Sequence, residues 1–215
     1  TALKLYAESL SERPPFSYVG DHMRDLLVDF HWHDREVGAL MPAPFATRHA
    51  RRHGVPKFSI LVLCYNKAKY TSRCLESLFK NTDYPNYEVI VVDNASVDET
   101  AGMLETYGKR IKFVHSNINL GFVGGNNVAA QHADGEYILF LNNDTEVQPK
   151  WLTEIYNCFV TNPNAGAVGS MLVYPNGLLQ EAGGAIFNDG SGWNYGRGNA
   201  VRSALFKFTR EVDYC

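Results

Sequence analysis

The sequence predicts an α/β fold: an open, mostly parallel, twisted sheet flanked by helices, with a short antiparallel and loop-rich C-terminal part. Three observations predict it. Short apolar runs recur without polar alternation, as in strands buried on both faces. Helical stripes separate them at the spacing of βαβ units. After Tyr174 that rhythm gives way to a series of glycines, among them Gly177, Gly183, Gly184 and Gly190, which punctuate short strands and loops.

Each element has its own signal. Residues 58–64 form an apolar run bounded by Pro56 and by Tyr65-Asn66, as a buried first strand should. Cys74, Leu75, Leu78 and Phe79 then recur at helical spacing. Residues 87–93 read as a second buried strand. Ser96-Val97-Asp98-Glu99 reads as a capping box opening a helix with Leu104 and Tyr107 inward. Residues 111–115 suit a short third strand, 121–133 a helix despite its glycines, and 136–141 a fourth strand. Pro149 suits the first turn of a helix whose inward face is Trp151, Leu152, Ile155, Tyr156 and Phe159. Residues 165–174 read as a fifth strand.

Residues 1–55 differ in composition. Pro14-Pro15, Pro42 and Pro44 interrupt them, and a basic stretch runs from Arg48 to His53. They read as a partly helical extension or linker, with short helices near 3–10 and 22–30, ahead of a domain over 56–215. The basic stretch reads as a solvated linker, the alternative being contact with an anionic membrane surface. His31 and His33 lack a cysteine or carboxylate cluster at metal spacing and read as ordinary side chains.

Composition removes several function classes. With 45% hydrophobic and 20% charged residues, the chain can bury a core and is not a disordered tail. A formal charge of -3 is no footprint for nucleic acid. No apolar run approaches the roughly 20 residues of a membrane span, and no signal peptide is visible. The chain starts at Thr1 without an initiator Met, which reads as processing or excision from a longer polypeptide. Cys64, Cys74, Cys158 and Cys215 form no C-x-x-C pair and read as reduced thiols in a cytosolic chain. No Walker-type loop and no G-x-S-x-G elbow occurs, so P-loop NTPases and α/β-hydrolases are out.

Ligands of open α/β sheets bind outside the carboxyl ends of the strands. Four of those ends carry Cys64-Tyr65-Asn66, Asp93-Asn94, Asn117 through Gly121, and Asn142-Asn143-Asp144. One such end is ordinary turn chemistry. Four on one edge point to a polar ligand with many donors and acceptors. Asp93, closing an aliphatic strand, should accept from an imide N–H or a ribose hydroxyl, since Ser96 already caps the next helix. Tyr65 reads either as a stacking platform for a base or as a half-buried aromatic. Asp144 suits Mg²⁺ or Mn²⁺, which take one or two protein carboxylates plus phosphate oxygens and water; a plain turn role is the alternative. Gly121, Gly124 and Gly125, next to Asn126, do not make G-x-G-x-x-G and follow the third strand, so they read as permitting close backbone approach to a ribose or pyrophosphate.

Taken in order, Phe58 to Asn66, Val91 to Asp98, Asn119-Leu120-Gly121-Phe122 and Leu141 to Thr145 resemble family 2 glycosyltransferases of the GT-A fold, in particular the bacterial rhamnosyltransferase-like group. Leu179 to Gly184 and Asn194 to Gly198 fit the same group. The resemblance covers about residues 57–215. It implies a nucleoside-diphosphate sugar donor of UDP or dTDP type, a glycan or lipid-linked glycan acceptor, and inverting, metal-dependent transfer. It places Cys64, Tyr65, Asn66, Asp93, Asn119, Gly121, Asn126, Asn142 and Asn143 at the nucleotide and Asp144 at the metal. The first acidic position of the family's D-x-D-type motif is Asn142 here, so Asp144 alone carries formal charge and metal binding should be weaker and more exchangeable. The family's general base lies in a segment beyond the match to residues 210–215. The resemblance therefore implies the donor-binding part of a longer enzyme, poorly active alone, with Glu181 as a sugar contact. It also implies a cell-envelope polysaccharide role, in the cytoplasm or at the inner membrane face. Two rivals stand beside it: a sugar-phosphate nucleotidyltransferase, although Cys64-Tyr65-Asn66-Lys67 lacks that class's glycine-rich loop, and a degenerate, non-catalytic binding module.

Overall fold

A computed structural model describes residues 54–215. The readings made for residues 1–53, including the two short helices, the basic stretch and the His31–His33 pair, lie outside them. The described residues form two compact units, 54–154 and 155–215.

The first unit is built on four parallel strands in the order β3-β2-β1-β4: β1 (Phe58–Cys64), β2 (Tyr87–Asn94), β3 (Lys112–Ser116) and β4 (Tyr137–Asn142). β1 lies between β2 and β4 and is almost wholly buried, which is why its sequence is apolar without alternation. In register, Cys64 faces Asp93 and Leu63 faces Asn142, so the polar residues that follow each strand emerge at one edge. The expected α/β architecture is observed.

Helices α1 (Ala68–Asn81), α2 (Thr100–Glu105) and α3 (Gly121–Gln131) connect these strands. The α1 stripe is as expected: Cys74, Leu75 and Leu78 are fully buried. Leu61, Ile90, Val92 and Ala129 form a core cluster with Leu63, Val114, Val128 and Ile138 around it. α3 reaches that core because of a glycine. A Cβ on Gly125 would lie 2.4 Å from the Leu63 side chain. So Gly125 serves helix-to-strand packing rather than the approach of a ligand, a correction to the reading of that glycine run.

The capping box does not form. α2 starts at Thr100, and Asp98 accepts from the Thr100 N–H (3.0 Å) and hydroxyl (2.5 Å), while the Ser96 hydroxyl is engaged elsewhere. α4 (Trp151–Thr161) forms as expected, but Pro149 lies before it rather than in its first turn, since Lys150 at φ 68° intervenes; the Trp151 indole donates to Thr82.

In the second unit the predicted fifth strand is mostly absent. Only Leu172–Val173 (β5) is extended in a ladder, antiparallel to β6 (Leu179–Glu181). Residues 165–171 are largely exposed and carry Gly166 and Gly169, so the apolar run lacks the burial that sustains a strand. Gly177, at φ +82°, turns β5 into β6. β7 (Gly184–Ile186) and β8 (Gly192–Asn194) form a second hairpin, with the Tyr214 ring packed against Gly184. This is the antiparallel, loop-rich part the glycines predicted.

Candidate functional site

The carboxyl ends of the four parallel strands surround a cavity of about 720 Å³. That is in the range of small-ligand and cofactor sites. β1 and its following loop contribute Leu63, Cys64, Tyr65, Asn66 and Lys67, and α1 adds Tyr70. Asn94 comes from β2, Asn119, Gly121 and Phe122 from the entry to α3, and Asn143 and Asp144 from the turn after β4.

The loops are held in unusual conformations. Asn66 and Lys67 sit at φ 55° and 59°, and Ala95 at 68°. Such left-handed residues outside glycine are uncommon and persist where surrounding bonds hold them. Here the loops after β1 and β2 are laced together. The Asn66 N–H donates to Ser96 Oγ (2.7 Å), the Val97 N–H donates to Asn66 Oδ1 (2.8 Å), and the Lys67 N–H donates to Asp98 Oδ2 (2.6 Å). The Thr100 hydroxyl, with three backbone N–H groups, holds the Asp98 carboxyl below its ordinary value.

Asn94 does the same between β2 and the loop before α3. Its amide donates to Asn119 Oδ1 (2.9 Å) and the Gly121 carbonyl (3.2 Å), and its Oδ1 accepts from the Leu120 N–H (2.8 Å). Gly121 enters α3 at φ +68°, which its lack of a side chain permits.

Most of the expected site residues come together: Cys64, Tyr65, Asn66, Asn119, Gly121, Asn143 and Asp144 line the cavity. Asn142 is exposed beside them, its carbonyl closing the turn to Thr145. Asp93 and Asn126 do not line it. Asp93, expected at an open edge, is fully buried. Its Oδ1 accepts from the Ser96 N–H (3.0 Å), and Oδ2 lies 3.0 Å from His115 Nδ1. Asn126 donates to the Phe122 carbonyl within α3. Glu181 sits on β6 of the second unit, opposite Leu172. Leu63, Lys67, Tyr70 and Phe122 are cavity residues to which sequence reasoning gave no ligand role, and Asn94 was named only as part of its strand end. Asn94 directly follows Asp93, and Tyr70 lies about one helical turn beyond Asn66, which are the signals that could have found them.

The chemistry of the cavity is hydrogen bonding plus one open carboxylate. Burial, with the Asp93 charge nearby, pushes the Cys64 thiol up to about 12, and it donates to the Val92 carbonyl, so it is neither nucleophile nor metal ligand at neutral pH. Asp144 is exposed and makes no hydrogen bond or ion pair among the described residues. No group of three His, Cys, Asp or Glu side chains gathers there or elsewhere among those residues, so a closed all-protein metal cage is absent from them. A single carboxylate in an oxygen-donor cavity instead fits a hard cation completed by ligand phosphates and water. Among the described residues no helix is long and apolar enough to cross a membrane.

The family model for glycosyl transferase family 2 matches residues 59–208. The O-antigen biosynthesis protein RfbC of Myxococcus xanthus is 37% identical over 151 residues, 69% of this chain and 12% of that protein. The poly(ribitol-phosphate) beta-N-acetylglucosaminyltransferase TarS of Staphylococcus aureus is 35% identical over 103 residues, 46% of this chain and 18% of TarS. A crystal structure of S. aureus TarS 1–349 with UDP superposes at TM-score 0.46 and 31% identity, over 54% of this chain and 39% of that one. The chain therefore spans less than a fifth of the length of either relative. The matched segment runs from β1 past β8 and takes in every strand end that lines the cavity, and on that match the chain belongs to glycosyl transferase family 2.

Proposed function

We propose that residues 54–154 bind the nucleoside diphosphate of a sugar donor, and that the parent protein transfers that sugar to a hydroxyl of a growing cell-envelope glycan. The observation that carries this reading is the convergence of four strand ends on one cavity with Asp144 as its unpaired carboxylate. The names of the relatives, an O-antigen biosynthesis protein and an N-acetylglucosaminyltransferase, support a cell-envelope glycan acceptor and a sugar donor, whose nucleotide we take to be of UDP or dTDP type.

Each group has a role in this reading. The exposed Tyr65 ring offers a stacking face for the base. Asn66, Asn119 and the Gly121 backbone, which line the cavity, contact base and ribose in this reading. Asp93 acts from behind, holding the Ser96 N–H and with it the loop that grips Asn66. Asp144, beside Asn143, would hold Mg²⁺ or Mn²⁺, which when bound would supply charge neutralisation for the leaving nucleoside diphosphate. The transfer is a single in-line displacement with inversion at the anomeric carbon. Family membership supports glycosyl over nucleotidyl transfer.

The test is calorimetric titration with UDP, dTDP and GDP, each with and without Mn²⁺. One nucleotide should bind, more tightly with metal, and the metal-dependent gain should vanish in Asp144→Ala. Binding of no nucleotide, or a gain that survives that substitution, overturns the site.

A further inference from the structure

The α1 helix carries a polar stripe on a face that helps bury the core. Thr71, Cys74, Ser77 and Asn81 recur at i, i+3, i+6 and i+10, one side of a helix. Thr71 and Cys74 are fully buried. Every one of the four bonds to the last residue of β4 or to the turn after it. Thr71 Oγ1 accepts from Asn143 Nδ2 (2.9 Å), and the Cys74 thiol donates to the Asn142 carbonyl (3.6 Å). Ser77 Oγ accepts from the Val147 N–H (3.0 Å), and Asn81 Nδ2 donates to the Val147 carbonyl (2.8 Å).

A buried hydroxyl is unfavourable unless it is hydrogen-bonded, and an apolar residue would pack this face at less cost. The stripe is therefore better explained by what it holds than by core stability. Its anchors fall at Asn142, Asn143 and Val147. They bracket Asp144, the one carboxylate that lines the cavity, which has no hydrogen-bond or ion-pair partner among the described residues. The other end of the same helix borders the cavity through Lys67 and Tyr70. One rigid element thus ties the loop after β1 to the turn that presents Asp144.

We infer that Thr71, Ser77 and Asn81 are positioning residues that fix Asp144 at a set distance from the Tyr65–Lys67 loop, so that one ligand spans both. This rests on the donor-site reading above and adds residues to it that touch no ligand themselves.

Two measurements test it on the 215-residue chain. Hydrogen–deuterium exchange of the peptide over residues 142–150 reads the hold on the turn without ligand. UDP titration with and without Mn²⁺ reads its consequence. In Thr71→Val/Ser77→Ala the turn should exchange about tenfold faster and the Mn²⁺-dependent gain in UDP affinity should fall about tenfold, the weight of one to two hydrogen bonds, while metal-free affinity stays within about twofold. Thr71→Ser should behave as the parent. Asn81→Ala removes one partly buried bond and should give a smaller change of the same kind if the double variant does not fold. Unchanged exchange overturns the inference. So does faster exchange with an unchanged metal-dependent gain, since the turn would then need no positioning. Asp144→Ala separates the two readings: it should abolish the gain and leave exchange of the turn as it was. A gain that survives Asp144→Ala defeats the donor-site reading instead.

Discussion

The same four strands end in polar clusters at both edges, and the two clusters behave in opposite ways. At the amino edge, Glu88 is closed in on itself. It accepts from the Ser59 hydroxyl (2.5 Å) and the Asp134 N–H (2.8 Å) and pairs with Lys57 and Lys112, each at 2.9 Å. Burial alone would raise its pKa, but these partners outweigh burial and hold the carboxyl at about 2. At the carboxyl edge, the asparagines brace the backbone, and Asp144 has no hydrogen-bond or ion-pair partner among the described residues. A carboxylate whose every lone pair is used inside the fold is architecture. A carboxylate that stays open beside a braced backbone is free to meet something that arrives from solution.

Breaking each edge should therefore register in a different instrument. The largest effect is expected for Asp144→Ala: about a hundredfold loss of Mn²⁺-dependent nucleotide affinity, roughly 2.7 kcal/mol, with the melting temperature nearly unchanged. A drop in thermal stability instead would place Asp144 with the architecture. Next is Glu88→Gln, which should destabilise by about 2–3 kcal/mol in chemical denaturation without altering nucleotide binding. The pH dependence follows in sign. The folded-state pKa of Glu88 is depressed from 4.5 to about 2, so its contribution is present above 4.5 and is lost as pH falls through that window. An acid titration of stability should flatten between pH 5 and 2 in the variant; an unchanged slope would mean that other carboxylates carry it.

Gly135→Ala sharpens the same edge. A Cβ there would lie 2.6 Å from the Ser59 nitrogen and 2.8 Å from the Lys57 carbonyl, both backbone atoms that cannot swing aside. About 2 kcal/mol of destabilisation is expected, again with affinity intact. The smallest effect belongs to Tyr65→Ala. About a fivefold loss of nucleotide affinity should appear equally with and without metal, because a stacking face does not act on the diphosphate. A loss confined to the metal-containing titration would contradict the stacking role.

Much of the carboxyl edge was legible from residues alone. Parallel strands buried on both faces write themselves as unbroken apolar runs, and whatever polar residues follow them must emerge together. That logic placed Tyr65, Asn66, Asn119, Asn143 and Asp144 around one cavity. The partnerships were not legible. The Ser96 hydroxyl looks like a helix cap in its own segment, yet it serves Asn66, 30 positions away. Thr71 looks like an ordinary helix residue until Asn143, 72 positions on, reaches it. Asp93 looks exposed until His115 on the neighbouring strand covers it. Local pattern reports burial and turn chemistry. It carries no record of which distant group satisfies which, and residues 165–171 show the converse, a strand-like run that finds no ladder.

The lacing of the Asn66 and Ser96 loops has a thermodynamic consequence for anything that binds there. Loops that order only around a ligand subtract that ordering from its affinity. Here the left-handed backbone at Asn66, Lys67 and Ala95 is already held by bonds that cross between the two segments. A ligand arriving beside Tyr65 would meet loops whose ordering cost was met when the chain folded.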